Sequence, residues 1–411
     1  MTIVRPRVAI TGAGVKSPAG NDLASFWATL CSGSSAAGPI THFDTTDHPV
    51  TFACEVHDFD PVAYLGPKES RRIDRVSQLG FAAATDALEQ AGELGADPGR
   101  CAVVVGTGVG GLTTLEEQIL QYGEKGAMRV SPFLVPMMMA NATPALIGMR
   151  FGFTGPNWCV VTACAAGTNA IGEGMRLVRD GTADVVICGG TEAAVTPVGL
   201  AAFSRMGALS ARKDDPARAS RPFDAERDGF VMGEGAGMLV LEPWDRAVAR
   251  GARILGEIAG YGRTCDAHHI TAPAPGGAGA VACMSMALDD AGVENVAVTH
   301  VNAHGTSTPL NDAAEAEAIT KVFGEDAPPV FSVKGCTGHL IGAAGAVEAI
   351  ASLLAFEHGQ LPPTANHQQA EPAITIDVVS GQARSVTPGP AVSNSFGFGG
   401  HNASLVLLPA T

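Results

Sequence analysis

Residues 229–243 read GFVMGEGAGMLVLEP, and residues 394–409 read NSFGFGGHNASLVLLP. Each is a Gly-rich turn that runs into one apolar closing strand and stops at a proline. Working outward from this pair, RVAITGAGVKSPAGND (7–22) has a counterpart in ILGEIAGYGRTCDAH (254–268). VVTACAAGTNAIGEG (160–174) and FSVKGCTGHLIGAAG (331–345) each lie ahead of a helix. The segments occur in the same order twice, which marks an internal duplication. The join falls near residues 243–254, so the chain divides into halves 1–250 and 251–411. Each half is expected to be a five-stranded layer, with the two layers packed around shared central helices.

Short β-branched runs alternate with Ala/Leu-rich stretches. Strands are expected at 7–12, 101–108, 184–190, 236–243, 254–262, 299–305, 329–335 and 403–409. Helices are expected at 77–92, 168–181 and 345–359. That alternation predicts an α/β protein with a mostly parallel sheet. No Pro/Ser-rich linker or low-complexity tract separates the halves, so a site built from both is expected.

The 411 residues suffice for a large core or two fused domains. The chain is 46% hydrophobic and 16% charged, a globular composition with a large buried share. No charge-free apolar run of about 18 residues suggests a membrane span, and the opening MTIVRPRVAITGAG reads as a first strand rather than a signal peptide. The nine cysteines, scattered without CxxC spacing, argue against a disulfide framework or a zinc site and predict a reducing cytoplasm. A net charge of −15 argues against a nucleic-acid partner.

Cys164 sits between the strand end WCVVTA and the helix AAGTNAIGEG, among small neighbours that admit a substrate. The positive end of the helix dipole there is expected to favour thiolate. Cys101 and Cys188 lie inside strands and read as packing residues. His304, in VNAHGTSTP, ends an apolar strand, where α/β active sites collect. His339, in VKGCTGHLIGAAG, lies at another strand-to-helix corner. A cysteine and two histidines at comparable points of repeated units are placed to converge. The loop NSFGFGGHN, with Gly397, Gly399 and Gly400 around Phe396 and Phe398, suits backbone N–H donation to an oxyanion. Two glycine-rich turns, GAGVKSPAG (12–20) and GTGVGG (106–111), imitate nucleotide loops without a full fingerprint.

VTACAAG, NAHGTSTP, the Lys of SVKGCTGH, and NSFGFGGHN together resemble, in order, the motifs of β-ketoacyl-acyl carrier protein synthase II and its polyketide relatives. Supporting phrases such as VVICGGTEA and ASRPFDAERDGFVMGEGAGMLVLE spread the resemblance over nearly the whole chain. It implies the thiolase fold, a duplicated five-layered αβαβα sandwich, and a dimer. It implies that Cys164 carries the acyl chain as a thioester, with an oxyanion hole from the N–H groups of Cys164 and Phe398. It further implies that His304 and His339 assist decarboxylation of a malonyl unit, supported by a charged pair of Lys334 and Glu315. Thr306 and Thr308 match positions that bind the pantetheine arm, which arrives on the carrier protein, so no free cofactor is implied. Phe398 matches a gate and Val109 a position at the acyl pocket. Phe203 and Phe133 are expected at the pocket or a dimer interface.

The chain departs from the synthase II pattern at Gly335-Cys336, where Ser-Met is usual, and at His401, where Thr is usual. The first departure bears on the loop carrying His339. A tunnel-shaping partner subunit typically lacks the nucleophile, which Cys164 opposes; a thiolase would carry a cysteine in the last motif, which SFGFGGHN lacks; an NAD-dependent oxidoreductase has only the glycine-rich turns in its favour. TACAAG is closer to synthase II than to the TGCTSG of aromatic polyketide synthases, and a reducing polyene pathway stays open. The working unit is then a homodimer or a heterodimer with a chain-length-factor-like subunit. The basic cluster Lys68, Arg71, Arg72 and Arg75 is the expected docking site for an acidic acyl carrier protein.

Overall fold

The computed structural model describes residues 6–410. Ten strands form the main sheet: β1 Val8–Lys16, β2 Cys101–Gly106, β3 Asn157–Val160, β4 Val185–Glu192, β5 Gly235–Pro243, β6 Gly256–Cys265, β7 His300–Asn302, β8 Val330–Phe331, β9 Ala391–Gly397 and β10 His401–Pro409. Their order is β8-β7-β9-β10-β6-β1-β5-β4-β2-β3. Outward from the middle, one side runs β1-β5-β4-β2-β3 and the other β6-β10-β9-β7-β8, the same permutation twice. Polarity repeats as well. The two innermost pairings on each side are antiparallel and the two outermost are parallel.

The two five-stranded sets are the two layers expected from the repeat, and they are also joined in one hydrogen-bonded order. β1 and β6 pair through Ala9 with Glu257 and Ile10 with Gly256. Two residue pairs make a narrow seam, and the sets fold over it onto a central helical layer. That layer holds α3 (Ala166–Arg179) and α6 (Ala344–His358), each touching strands of both sets. α1 (Arg75–Ala91) and α2 (Ala142–Phe151) cover the outer face of the first set. α4 (Ala278–Ala291) covers that of the second, with α5 (Pro309–Phe323) packed on it. Every residue of α6 from Ala344 to Phe356 is buried, and all of them but Glu348 and Ser352 are apolar or glycine, as a central helix requires. The stretch Ile341–His358 is apolar and long enough to cross a membrane by composition, yet 89% of it is buried as this central helix.

The glycines of the first imitation nucleotide loop have a packing role. On β1, a Cβ at Gly12 or Gly14 would lie 2.1 Å from the carbonyl oxygen of Ala87 or Ala83 in α1. On β6, Gly260 and Gly262 stand in the same relation to Ala287 and Cys283 of α4, at 2.1 and 2.0 Å. The G-x-G spacing brings one residue of every two to the outer face of the strand, where a helix lies directly on the backbone. The strands expected at 299–305 and 329–335 are shorter than read: β7 ends at Asn302 and β8 at Phe331. The chain leaves the sheet there to deliver His304 and Lys334. All nine cysteines are free, and Cys101 and Cys188 are buried in β2 and β4.

This packing predicts that Gly12→Ala will destabilise the protein by about 1–3 kcal/mol through overpacking. Gly123→Ala, on the helix Leu112–Lys125 with nothing near its Cβ, should be neutral or stabilising. Urea midpoints of the two variants measure the contrast.

Candidate active site

Cys164 lies in a tight turn, Ala163–Ala165, that feeds directly into α3. Ala163 adopts φ 49°, a left-handed conformation that alanine rarely takes. The turn is braced from the other half: a Cβ at Gly397 would fall 2.8 Å from the Thr162 carbonyl and 3.1 Å from the Cys164 nitrogen. Thr168 Oγ1 and Ser395 Oγ, 2.7 Å apart, tie the first turn of α3 to β9. The His339 Nε2 lies 3.0 Å from Cys164 Sγ. The His304 and His339 rings stand 5.3 Å apart at 84°. All three residues line one cavity of about 390 Å³, together with Phe203, Phe398, Thr306 and Thr308.

Hydrogen bonds fix how the two rings present themselves. The Ile341 N–H donates to His339 Nδ1 at 3.3 Å. The Lys334 ammonium lies 3.3 Å from His304 Nδ1 and 2.5 Å from the His304 carbonyl. An ammonium and an amide N–H only donate, so both Nδ1 atoms accept and each ring carries its proton on Nε2. Burial first, and then the positive charge of Lys334, holds both imidazoles well below their ordinary range. Two neutral Nε2–H donors thus belong to a buried cavity that also holds a thiol.

The thiol itself departs from expectation. Burial pushes Cys164 up to about 12, outweighing the lowering by Lys334 and by the backbone N–H groups of Phe398 and of Cys164 itself. The helix terminus that suggested thiolate is present, but desolvation is the larger effect, so Cys164 rests as a thiol. The same two N–H groups lie beside the sulfur, where an oxyanion on a bound acyl carbon would form.

The charged support differs too. Lys334 pairs with Glu348, both fully buried, and not with Glu315. Glu315 instead accepts the backbone N–H groups of His304 and Gly305, each at 2.8 Å. It shapes the turn that carries His304, while Glu348 on α6 neutralises the lysine. Sequence reading missed Glu348, although one carboxylate among the apolar residues of GAVEAIASLL was a signal that something cationic meets that helix. It also missed Phe230. The Phe230 ring stands edge-on to His339 at 5.2 Å, and the Phe396 ring stands edge-on to His304 at 5.8 Å. Both phenylalanines occur at the same place in the repeat, thirteen residues before Pro243 and Pro409.

Thr306 and Thr308 share a hydrogen bond of 2.9 Å at the cavity wall, and Thr308 also caps α5. The Phe203 and Phe398 rings stand 6.5 Å apart. Val109 and Phe133 do not line the cavity; both side chains are exposed on the chain's surface. Of the basic cluster, Lys68, Arg71 and Arg72 are exposed. Arg75 is withdrawn from it by an ion pair with Glu234, and the Arg72 guanidinium sits over the Phe133 ring at 4.7 Å. Gly335 is required where it stands, because a Cβ would meet the backbone of Ala365 at 2.7 Å. Cys336 is buried in the core, and the loop still delivers His339 to Cys164. His401 pairs with Cys265 across β10 and β6, outside the cavity.

Comparison with known proteins places this geometry in a family. Residues 5–247 match the model of the β-ketoacyl synthase N-terminal domain, and residues 255–368 that of its C-terminal domain. The chain is 48% identical to 3-oxoacyl-acyl-carrier-protein synthase 2 of Synechocystis sp., covering 98% of this chain and 97% of the relative. It is 46% identical to the enzyme of the same name from Staphylococcus aureus, covering 97% of each. Among solved structures, the ishigamide ketosynthase/chain length factor superimposes with a TM-score of 0.93 at 38% identity, covering 99% of this chain and 100% of that one. A type II polyketide ketosynthase in complex with its acyl-carrier protein and bound to the hexaketide gives 0.91 at 30%, with the same coverage. The fold is therefore the thiolase fold, the αβαβα sandwich, and the chain belongs to the β-ketoacyl synthase family.

Proposed function

We propose that the protein is a decarboxylating β-ketoacyl-acyl carrier protein synthase of fatty-acid or type II polyketide synthesis, with Cys164 as nucleophile. The observation that carries this reading is the buried contact of Cys164 Sγ with the Nε2 of a neutral His339, beside a neutral His304. In the first half-reaction the Cys164 sulfur attacks the acyl thioester on the carrier's pantetheine arm. The new C–S bond forms as the old one breaks, and the proton lost by Cys164 leaves on the pantetheine thiol. Because Cys164 rests as a thiol, proton loss accompanies attack, which suits a nucleophile stored unreactive until substrate arrives.

In the second half-reaction a malonyl thioester lies against His304 and His339. Its C–C bond to the carboxylate breaks, CO₂ leaves, and the electron pair passes to the thioester oxygen as an enolate. Two Nε2–H donors from neutral rings stabilise that oxygen without protonating the enolate carbon. The carbon attacks the Cys164 thioester, the tetrahedral oxyanion takes the N–H groups of Cys164 and Phe398, and collapse expels the Cys164 thiolate, which takes up one proton from solvent to return to the resting thiol. Lys334, balanced by Glu348, keeps the imidazoles from accepting a proton. Thr306 and Thr308 are placed to hold the pantetheine arm, and the paired rings of Phe203 and Phe398 to separate the acyl and malonyl parts of the cavity.

The carrier protein is the proposed macromolecular substrate, and the exposed Lys68, Arg71 and Arg72 its proposed docking cluster. The partner subunit, a second copy or a chain-length-factor-like relative, is proposed to cover the free edge of β3. Met149, Val161, Val135 and Met139 are exposed on this part of the chain, and Val109 and Phe133 would become pocket-lining there. The nine free cysteines suit a reducing compartment, and we place the protein in the cytoplasm.

Three outcomes test this reading. Cys164→Ala should abolish condensation while still releasing CO₂ from malonyl carrier protein; condensation by that variant refutes the assignment. His304→Ala should lower decarboxylation about 10²–10⁴-fold while mass spectrometry still finds an acyl adduct on Cys164. Arg71→Glu with Arg72→Glu should weaken carrier binding more at low salt than at high salt, and unchanged affinity at low salt removes the cluster from the docking site.

A further inference from the structure

Glu192 is fully buried at the end of β4. Burial pushes its carboxyl up to about 7, and its partners are neutral donors. Oε2 accepts the Gly108 N–H at 2.6 Å and the Gly342 N–H at 3.1 Å. Oε1 accepts the Thr107 hydroxyl at 3.0 Å, and the Val109 N–H also faces the carboxylate. These donors belong to two separate loops: 107–109, which carries Val109, and the corner just after His339. The loops are in direct contact, since a Cβ at Gly342 would lie 2.4 Å from the Gly108 nitrogen.

Between His339 and Gly342 lies Ile341, a β-branched residue at φ 47°. That left-handed conformation is disfavoured for any L-residue and most for a β-branched one. It separates two successive N–H groups. The Ile341 N–H turns to His339 Nδ1 and the Gly342 N–H turns to Glu192. Each of these two adjacent amides thus has its own acceptor, the His339 ring for one and the Glu192 carboxyl for the other. A buried carboxylate without a counter-ion is costly, and this one is placed where a strained backbone needs an acceptor.

We propose that Glu192 is a positioning residue for the condensation: its carboxylate holds Ile341 left-handed, so that the Ile341 N–H keeps His339 in the Nε2–H tautomer facing Cys164. The proposal rests on the function proposed for this site in its kinetic part only. Glu192 acts through His339 and touches no substrate. Gln retains an oxygen for both amides and an NH₂ for the Thr107 hydroxyl, whereas Ala retains neither.

The test is ¹⁵N NMR of histidine-labelled protein, reading the His339 tautomer, alongside malonyl carrier protein decarboxylation. Wild type and Glu192→Gln should show a single Nε2–H tautomer, with rates within about threefold. Glu192→Ala should mix the tautomers and slow decarboxylation by up to about a hundredfold. Adding Ile341→Gly, which adopts the left-handed conformation freely, should restore the tautomer in the Glu192→Ala background. Should Glu192→Ala not fold, Glu192→Asp, one methylene short of the Gly342 N–H, supplies the same reading. A single Nε2–H tautomer in Glu192→Ala or Glu192→Asp overturns the proposal, as does a mixture that Ile341→Gly leaves unchanged. A tautomer shift in an enzyme that never decarboxylates malonyl carrier protein supports the clamp and overturns the proposed function instead.

Discussion

The first turns of α3 and α6 approach more closely than side chains allow, and the site depends on that approach. Gly167 and Gly345 are each the second residue of their helix. A Cβ on Gly345 would lie 1.9 Å from Thr168 Oγ1, and one on Gly167 would lie 2.8 Å from the Gly342 carbonyl. Back-to-back helix starts bring the two preceding corners together. One corner carries Cys164 and the other His339, and the 3.0 Å contact between Sγ and Nε2 follows. The pseudo-twofold strand order makes the halves equivalent, and the site lies where the equivalent helices begin.

Charge is then arranged around a buried centre. The Lys334 ammonium faces His304, and Glu348 stands behind it. A buried ion pair is a weak source of stability, because desolvation offsets much of the attraction. Here it has an electrostatic consequence for the neighbours. The ammonium faces the imidazole side, so it disfavours imidazolium at His304 and His339 and favours negative charge on sulfur. Burial acts with Lys334 on the histidines and against it on the cysteine. The resting state is therefore neutral at Cys164, His304 and His339, and in the proposed reaction charge develops only with substrate.

Much of this was legible in the sequence for a physical reason. Strand ends in α/β proteins are where side chains escape the sheet, so Cys164, His304 and His339 at three such ends were readable as one site. Close helix–sheet contact requires small residues at fixed period, so the repeated G-x-G was visible, although its role at Gly12 and Gly14 imitates a nucleotide loop. What was not legible depends on distant packing. Glu315 and Glu348 both lie on helices near Lys334 in sequence, and only the placement of α6 in the central layer decides that Glu348 meets it. The helix-terminus effect on Cys164 is local and could be read, whereas the burial that reverses it comes from residues far away in sequence, from Phe52 and Phe230 to Ile341. The seam between β1 and β6 joins residues some 250 positions apart, and no periodicity announces it. Val109 and Phe133 face outward on this chain, so any part they have in a pocket belongs to an assembly.

In the proposed reaction one buried sulfur both receives an acyl group and gives it up to a carbanion made in the same cavity. The most direct measurement is a chase on isolated acyl-enzyme, followed by intact-protein mass spectrometry. The protein is first acylated from an acyl carrier thioester, freed of excess primer, and then given malonyl carrier protein. The acyl mass should disappear from the Cys164 peptide at the rate at which CO₂ is released and β-ketoacyl carrier protein forms. An acyl group that remains on Cys164 while CO₂ is released, or β-ketoacyl product formed with no prior mass on Cys164, would contradict it.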